Sequence, residues 1–308
     1  MNRRTFLIRA GASGAALLAS GTWQPRPLEA ASTLTAELAG LVHDLETRFP
    51  YAYALYSRDE TLNFELGDDG SRLTTQGPNE GIVAGIWDGA MIREEATSLA
   101  DAAGIARLRE RLMALPPPLS KEGAPDPGPA LEKEWIEAGR VPIGSRTIAQ
   151  RVDELSALRE SVKKRSAALA NVRMESLQGE TERIFVNRTR TLHQRLSRAG
   201  VGGVAIARNG DGKRGFLGIR FRGVGGLEHA ALSEPVIASW VERAERLAGA
   251  PSPEPGEMFV VSEPNVTGVV AHESFGHGVE LDMFVKGRAR AAEFIDKPVG
   301  SKLVNISD

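Results

Sequence analysis

Apolar residues recur at Leu34, Leu38, Leu41, Val42 and Leu45. This three-to-four-residue period predicts an amphipathic helix over 34–49, closed by Pro50. The pattern then changes to short apolar runs over 52–56, 62–66 and 81–87 that read as strands, and Asp88-Gly89 joins the last of them to 90–94 as a hairpin. Helical spacing returns over 100–115, where Ile105, Leu108, Leu112 and Leu115 share one face. A Pro- and Gly-rich stretch from Pro116 to Pro129 cannot hold a helix or an interior strand and reads as surface linker. Beyond it, Ile148, Val152, Leu155, Leu158 and Val162 predict a long helix over 147–169 with a charged, solvated outer face. Runs over 172–177, 183–187, 189–194, 203–207 and 215–221, broken by Gly and Asn/Asp clusters, predict an antiparallel sheet. A helix over 235–247, a Pro-rich turn over 251–255 and a strand over 258–262 follow.

The implied fold class is α+β: an N-terminal α/β domain with hairpins, then a long helix and a mostly antiparallel sheet leading into a metal-binding helix. The corresponding boundaries are a signal segment over 1–31, an N-terminal domain over 32–115, a linker over 116–140, a central domain over 141–255 and the start of an incomplete C-terminal domain over 256–308. No internal repeat is evident.

Composition narrows the functional classes. With 38 basic and 40 acidic residues spread along 308, no basic stripe argues for nucleic acid. The absence of cysteine excludes disulfides, iron–sulfur clusters, thiol catalysis and thiolate metal ligands from these residues. Near the N-terminus, Arg3-Arg4 followed by Phe6-Leu7 and a small-residue apolar stretch over 10–21 reads as a twin-arginine export signal. That stretch is too short and too rich in Gly, Ala and Ser for a membrane span, which needs about 20 mainly apolar residues. Cleavage is expected near Ala30 or Ala31, with a periplasmic destination and the cytoplasm as the alternative.

The chemistry concentrates in His272-Glu273-Ser274-Phe275-Gly276-His277. Two imidazoles can ligate zinc, and a carboxylate beside the first can take a proton from metal-activated water. The spacing is unusual. Histidines four apart lie about 40° apart around a helix, whereas five apart are separated by roughly 140°. An intact α-helix would therefore point His272 and His277 away from each other, so a π-type widening or a helix loosened at Gly276 and Gly278 is expected. Val266, Val269 and Val270 before the motif suggest a helix entering a core, and Glu280 and Asp282 after it are candidates to orient the histidines. Elsewhere, the glycine clusters at 200–203 and 223–226 read as tight turns between strands. His43, His193 and His229 read as surface or core histidines, and Trp87, Trp135 and Trp240 as packing residues.

The stretch HESFGHGVELD, His272 to Asp282, resembles the signature of the TldD/PmbA (TldE) metallopeptidases, specifically the metal-carrying TldD-like subunit. The resemblance extends weakly from about residue 35 onward, including the Gly-rich hairpin region over 81–93 and the stretch from Pro253 to the motif. It implies a zinc (Zn2+) peptidase acting on peptides or unfolded polypeptides in a closed chamber, as a heterodimer with a TldE-like subunit or a homodimer. By the same resemblance His272 and His277 are ligands and Glu273 is the general base. Two departures stand out. The family draws a third ligand, a cysteine, from a further C-terminal domain, and this chain has no cysteine, so the reading expects a C-terminal truncation or a third ligand from elsewhere, Glu280 and Asp282 included. The family is also cytoplasmic, whereas the N-terminal signal points to export. The alternative function is a non-catalytic fragment or degenerate subunit that binds a partner or peptide without hydrolysis. A purely structural zinc site would leave Glu273 without a task.

Overall fold

A computed structural model describes residues 28–118 and 120–305, and these divide into two compact units, one ending at Ala250 and the other running from Pro251. The twin-arginine motif lies outside the described residues. Among the described residues the first helix, α1 (Leu28–Glu46), begins within the segment assigned to the signal, and Ala31 and Leu34 are already buried on its inner face.

The first unit is built on one seven-stranded sheet. Its strands are β1 (Ala52–Gly67), β2 (Gly70–Trp87), β3 (Ile92–Thr97), β4 (Leu131–Glu137), β5 (Leu169–Asn187), β6 (Arg190–Arg208) and β7 (Arg214–Val224). They lie in the order β3-β2-β1-β5-β6-β4, with β7 also paired to β6, and every pairing is antiparallel except β4 with β6. The α+β class read from the sequence is the observed one. The short runs read as separate strands are halves of longer ones: 52–56 and 62–66 both belong to β1, and 172–177 and 183–187 both belong to β5. The polar residues between the apolar halves concealed this continuity. The sheet also takes strands from both sides of the Pro-rich segment, since β1 pairs with β5 from Tyr53↔Asn187 to Leu66↔Met174. Within the stretch read as linker, 131–137 forms β4 beside β6, with all seven residues exposed. Its charged composition gave no apolar alternation to read. Gly200 to Gly203 sit inside β6 rather than in a turn. There a side chain at Gly203 would meet Arg173 O at 2.5 Å and the Trp240 ring at 2.9 Å, so glycine admits a close approach.

Strand length explains how the core is divided. A 19-residue strand runs about 60 Å, whereas a 16-residue helix spans about 24 Å. One helix cannot cover such a face. Even-numbered residues of β1 and β5 point to the covered side, and they enter two separate apolar clusters. One cluster joins Ala52, Ala54 and Tyr56 to α1 and to α2 (Ala102–Met113). The other joins Leu62, Phe64, Val172 and Met174 to α3 (Ile148–Lys163) and to α4 (Glu234–Gly249), whose Trp240 is 2% exposed and donates Nε1–H to Leu217 O. Between the clusters the same face carries buried polar side chains: Gln178, Glu180, Glu182, His193 and Arg195. Arg195 Nη2 lies 2.9 Å from Glu180 Oε1, and His193 is held between Glu134 at 2.8 Å and Glu182 at 2.9 Å. Such pairing is what burial of charge requires. Of the tryptophans read as packing residues, Trp240 is core, while Trp135 on β4 is exposed with Lys133 Nζ over its ring at 5.1 Å.

Helix starts follow local chemistry. Thr147 caps α3 through a reciprocal box with Gln150, and the Asp101 side chain accepts from Gly104 N to cap α2. Glu228, in the β7–α4 connection, ties down the entry to the central elements by accepting from the backbone N–H groups of Val141, Arg140 and Gly226. Those donors, Val141 and Arg140 foremost, lower its pKa from 4.5 to about 2. A depressed carboxylate pKa contributes stability that is complete above about pH 4.5 and is lost as pH falls towards 2. Glu228→Gln is therefore expected to melt several degrees below the parent at pH 7. Thermal unfolding followed by circular dichroism between pH 7 and pH 2.5 should show this gap closing below pH 4.5; a gap that persists unchanged at pH 2.5 contradicts the assignment.

Candidate metal centre

The second unit begins with an extended stretch and then forms α5 (Pro264–Ser274), a 3-10 turn (Gly276–Val279) and the short α6 (Leu281–Val285). The strand expected over 258–262 is absent. Phe259 and Val261 are essentially fully exposed at 105% and 99%, and a β-run without a neighbouring strand has nothing to pair with. Val266, Val269 and Val270 on α5, expected to enter a core, are each more than half exposed.

Helix α5 starts with Pro264 at its first position, where a missing N–H removes no helical bond. It stops at Ser274. Phe275, with φ −138° and ψ −29°, leaves the helical conformation, and Gly276 opens the tighter 3-10 turn. Gly276 and Gly278 make the change cheap, since glycine is a poor helix former. The departure falls between the two histidines, which turns His277 back towards His272: their ring centroids lie 4.5 Å apart in an edge-on arrangement. Helix end plus 3-10 turn, rather than a π-bulge, thus resolves the 140° separation of an ideal helix. A methyl group added at Gly276 would stand 3.4 Å from His272 Nδ1, showing how closely the chain passes that ring.

One ligand atom each from His272, Glu273 and His277 falls within a mutual 4.8 Å, and all three residues are exposed. Glu273 Oε2 is 3.7 Å from His277 Nε2. Two imidazoles and a carboxylate form a nitrogen–oxygen donor set of the kind zinc accepts, so the residues fit the metal that the motif implies. Glu280 accepts a hydrogen bond from His277 Nδ1 at 2.8 Å. That bond leaves the lone pair of a neutral imidazole on Nε2, the atom facing Glu273. The same bond and then the charge of Glu280, opposed by desolvation and helped least by the charge of Glu273, raise the His277 pKa above its ordinary 6.5. Asp282, the other acid considered for orienting the histidines, pairs instead with Lys286 Nζ at 2.8 Å, one helical turn on. His43, His193 and His229 take no part in this cluster. Sequence reading did not pick out Phe275, whose ring meets Phe294 edge-on at 6.5 Å. The aromatic inside the motif was the available signal.

Two curated proteins named "Metalloprotease" match parts of the chain. One, from Archaeoglobus fulgidus, is 35% identical over 107 residues, which is 34% of this chain and 25% of that protein. The other, from Methanothermobacter thermautotrophicus, is 34% identical over 67 residues, 22% of this chain and 15% of that protein. The chain thus spans a quarter or less of the curated relatives it matches. No family model matches. Among solved structures, a candidate modulator of a DNA gyrase from Thermotoga maritima superposes with a TM-score of 0.51 at 15% identity, over 73% of this chain and 50% of that one. That likeness concerns the fold alone. Segments of the chain are thus similar to proteins named metalloprotease, and its α+β fold is similar to that of the Thermotoga maritima structure. They are consistent with a TldD/TldE-like metallopeptidase, the family the His272–Asp282 stretch resembles.

If Glu280 fixes His277 in its ligating orientation, Glu280→Gln weakens zinc binding about 10- to 100-fold while leaving the melting temperature of the chain unchanged. Competition against a chromophoric chelator measures the first and calorimetry the second. Equal zinc affinity in the two proteins removes Glu280 from the site.

Proposed function

We propose that the chain is part of a zinc-dependent, TldD-like metallopeptidase that hydrolyses peptides or unfolded polypeptides, with His272 and His277 as ligands and Glu273 as general base. The observation that carries the reading is the convergence of these three donors within 4.8 Å at a helix end. Zinc, when bound, supplies Lewis acidity that acidifies water and polarises a carbonyl. The chain's own residues supply the rest. Glu280 holds the His277 ring so that Nε2 faces the cluster. Glu273 takes the proton of the attacking water on a carboxylate oxygen and returns it to the leaving amine. The exposure of the cluster gives an extended polypeptide access from solvent. A TldE-like subunit as partner and export by the twin-arginine route belong to the same proposal. Among the described residues no helix is long and apolar enough to cross a membrane.

A second reading has its own observation. Among the described residues three groups converge, and one of them is Glu273; if its carboxylate becomes the third ligand, no base remains among them. The chain would then hold metal and bind peptide or partner without cleaving. Glu273→Gln separates the two. As general base, its replacement leaves zinc affinity within about threefold and lowers kcat on an unfolded protein substrate 10²- to 10⁴-fold, with KM little changed. Loss of zinc in the variant, with no hydrolysis by the parent, supports the non-catalytic reading instead.

A further inference from the structure

Strands β6 and β7 carry four and three arginines and not one aspartate or glutamate. In their ladder Gly200 faces Arg222 and Gly202 faces Arg220, so the even-numbered residues of both strands share one face, the face opposite α4. Arg198, Arg208, Arg214, Arg220 and Arg222 stand there, all exposed. Arg220 Nε meets Glu175 Oε1 at 2.8 Å and Arg198 Nη1 donates to Thr181 Oγ1 at 2.8 Å, while Arg208, Arg214 and Arg222 have no side-chain partner among the described residues. Acids of β1 and its turn on this face are already engaged, Asp59 by Arg183, Asp69 by Arg173 and Glu65 by Asn63. Against Glu137, Glu175, Asp211 and Glu228, the five arginines and Lys213 leave a surplus of two positive charges.

Strand β7 is also a free edge of the sheet. At the two ends of its ladder Asn209 N donates to Lys213 O at 3.0 Å and Gly225 N to Ser197 O at 2.8 Å. Antiparallel neighbours bond at every second residue, and these bonds fall on odd numbers, so the even-numbered N–H and C=O groups over 214–224 point away from β6. No other strand pairs with β7, and among the described residues no further hydrogen bond reaches those groups. On the other face of β7, Phe221 is 45% exposed. Arginines along an edge repel a second copy of that edge and leave it open to a strand of opposite charge.

We infer that the free edge of β7 takes up an extended polypeptide segment that alternates acidic with apolar residues. Its main chain pairs with the outward N–H and C=O groups. Every second side chain, an acid, meets Arg214, Arg220 or Arg222, and the intervening apolar ones lie on the side of Phe221. Phe216, 58% exposed between Arg214 and Arg220, offers apolar surface to the stems of the acids. This edge lies in the first unit and involves neither His272 nor His277.

The test is fluorescence anisotropy of labelled probes with the full chain, in the presence of a chelator that prevents cleavage. The probes are a short peptide alternating glutamate and valine, the same peptide N-methylated at every amide, the same composition with glutamates and valines in separate blocks, and oligothymidylate. Each is repeated on the double variant Arg214→Ser with Arg222→Ser. Neither arginine has a side-chain partner among the described residues, and thermal unfolding shows whether the variant is folded. The alternating peptide is expected to bind about tenfold or more tightly than each of the other probes. In the double variant its binding falls about five- to tenfold. Loss on N-methylation identifies main-chain pairing, because it removes the N–H donors and leaves the charge unchanged. The inference is overturned if the alternating peptide does not bind, if the methylated or block peptide binds equally well, or if a folded double variant binds it as the parent does. Oligothymidylate bound as tightly as the peptide overturns it too, and assigns the arginines to a nucleic acid.

Discussion

The pairing of β1 with β5 is the constraint on which the first unit depends. It joins residues from either side of the Pro-rich segment in an unbroken register from Tyr53 to Leu66, and it aligns their even-numbered side chains on one face. Because the side-chain period of a strand is two, a one-residue slip of β1 against β5 would turn Tyr56 and Phe64 outward together while Met174 and Ile184 stayed on the covered face. The length of that ladder then dictates a second feature. A face about 60 Å long needs two helical layers of ordinary size, and where they give way to one another the sheet carries paired charges instead of leucines. Glu180, Glu182, His193 and Arg195 are the result.

In the second unit the governing constraint is angular. Two histidines five residues apart cannot face one metal from an intact α-helix. Ending α5 at Ser274 and continuing as a 3-10 turn brings the rings to 4.5 Å, and the turn also carries Glu280 to His277 Nδ1. A single backbone change therefore gathers both imidazoles and the acid that orients one of them. The exposed valines of α5 and the fully exposed Phe259 and Val261 show that this unit buries little of its own apolar surface. Its geometry at the histidines is set by local hydrogen bonds and glycine freedom, not by a core.

What could be read from sequence follows from how local each signal is. The helical stripe of Leu34, Leu38, Leu41 and Leu45 and the Asp88-Gly89 hairpin are each encoded within a few residues, and each forms where expected. The long strands were less legible because their middles are polar: Gln178 to Glu182 looks like a break in β5 until the ladder shows Gln178, Glu180 and Glu182 buried, the two glutamates beside Arg195 and His193. Strand β4 could not be seen at all, since a run with every residue exposed owes its form to β6 alongside it. At the candidate metal centre, the need for a helical distortion to bring His272 and His277 together was readable from the five-residue spacing. The form of the distortion, and the choice of Lys286 rather than a histidine by Asp282, depend on turn geometry beyond the reach of spacing arguments.

The central claim is that His272 and His277 together hold a metal ion, and zinc stoichiometry tests it most directly. The purified chain, His272→Ala and His277→Ala would each be loaded with zinc, dialysed against a weak chelator and assayed by elemental analysis. The account predicts about one zinc per parent chain and close to none in either variant. Zinc retained by both variants, or none held by the parent, would contradict it.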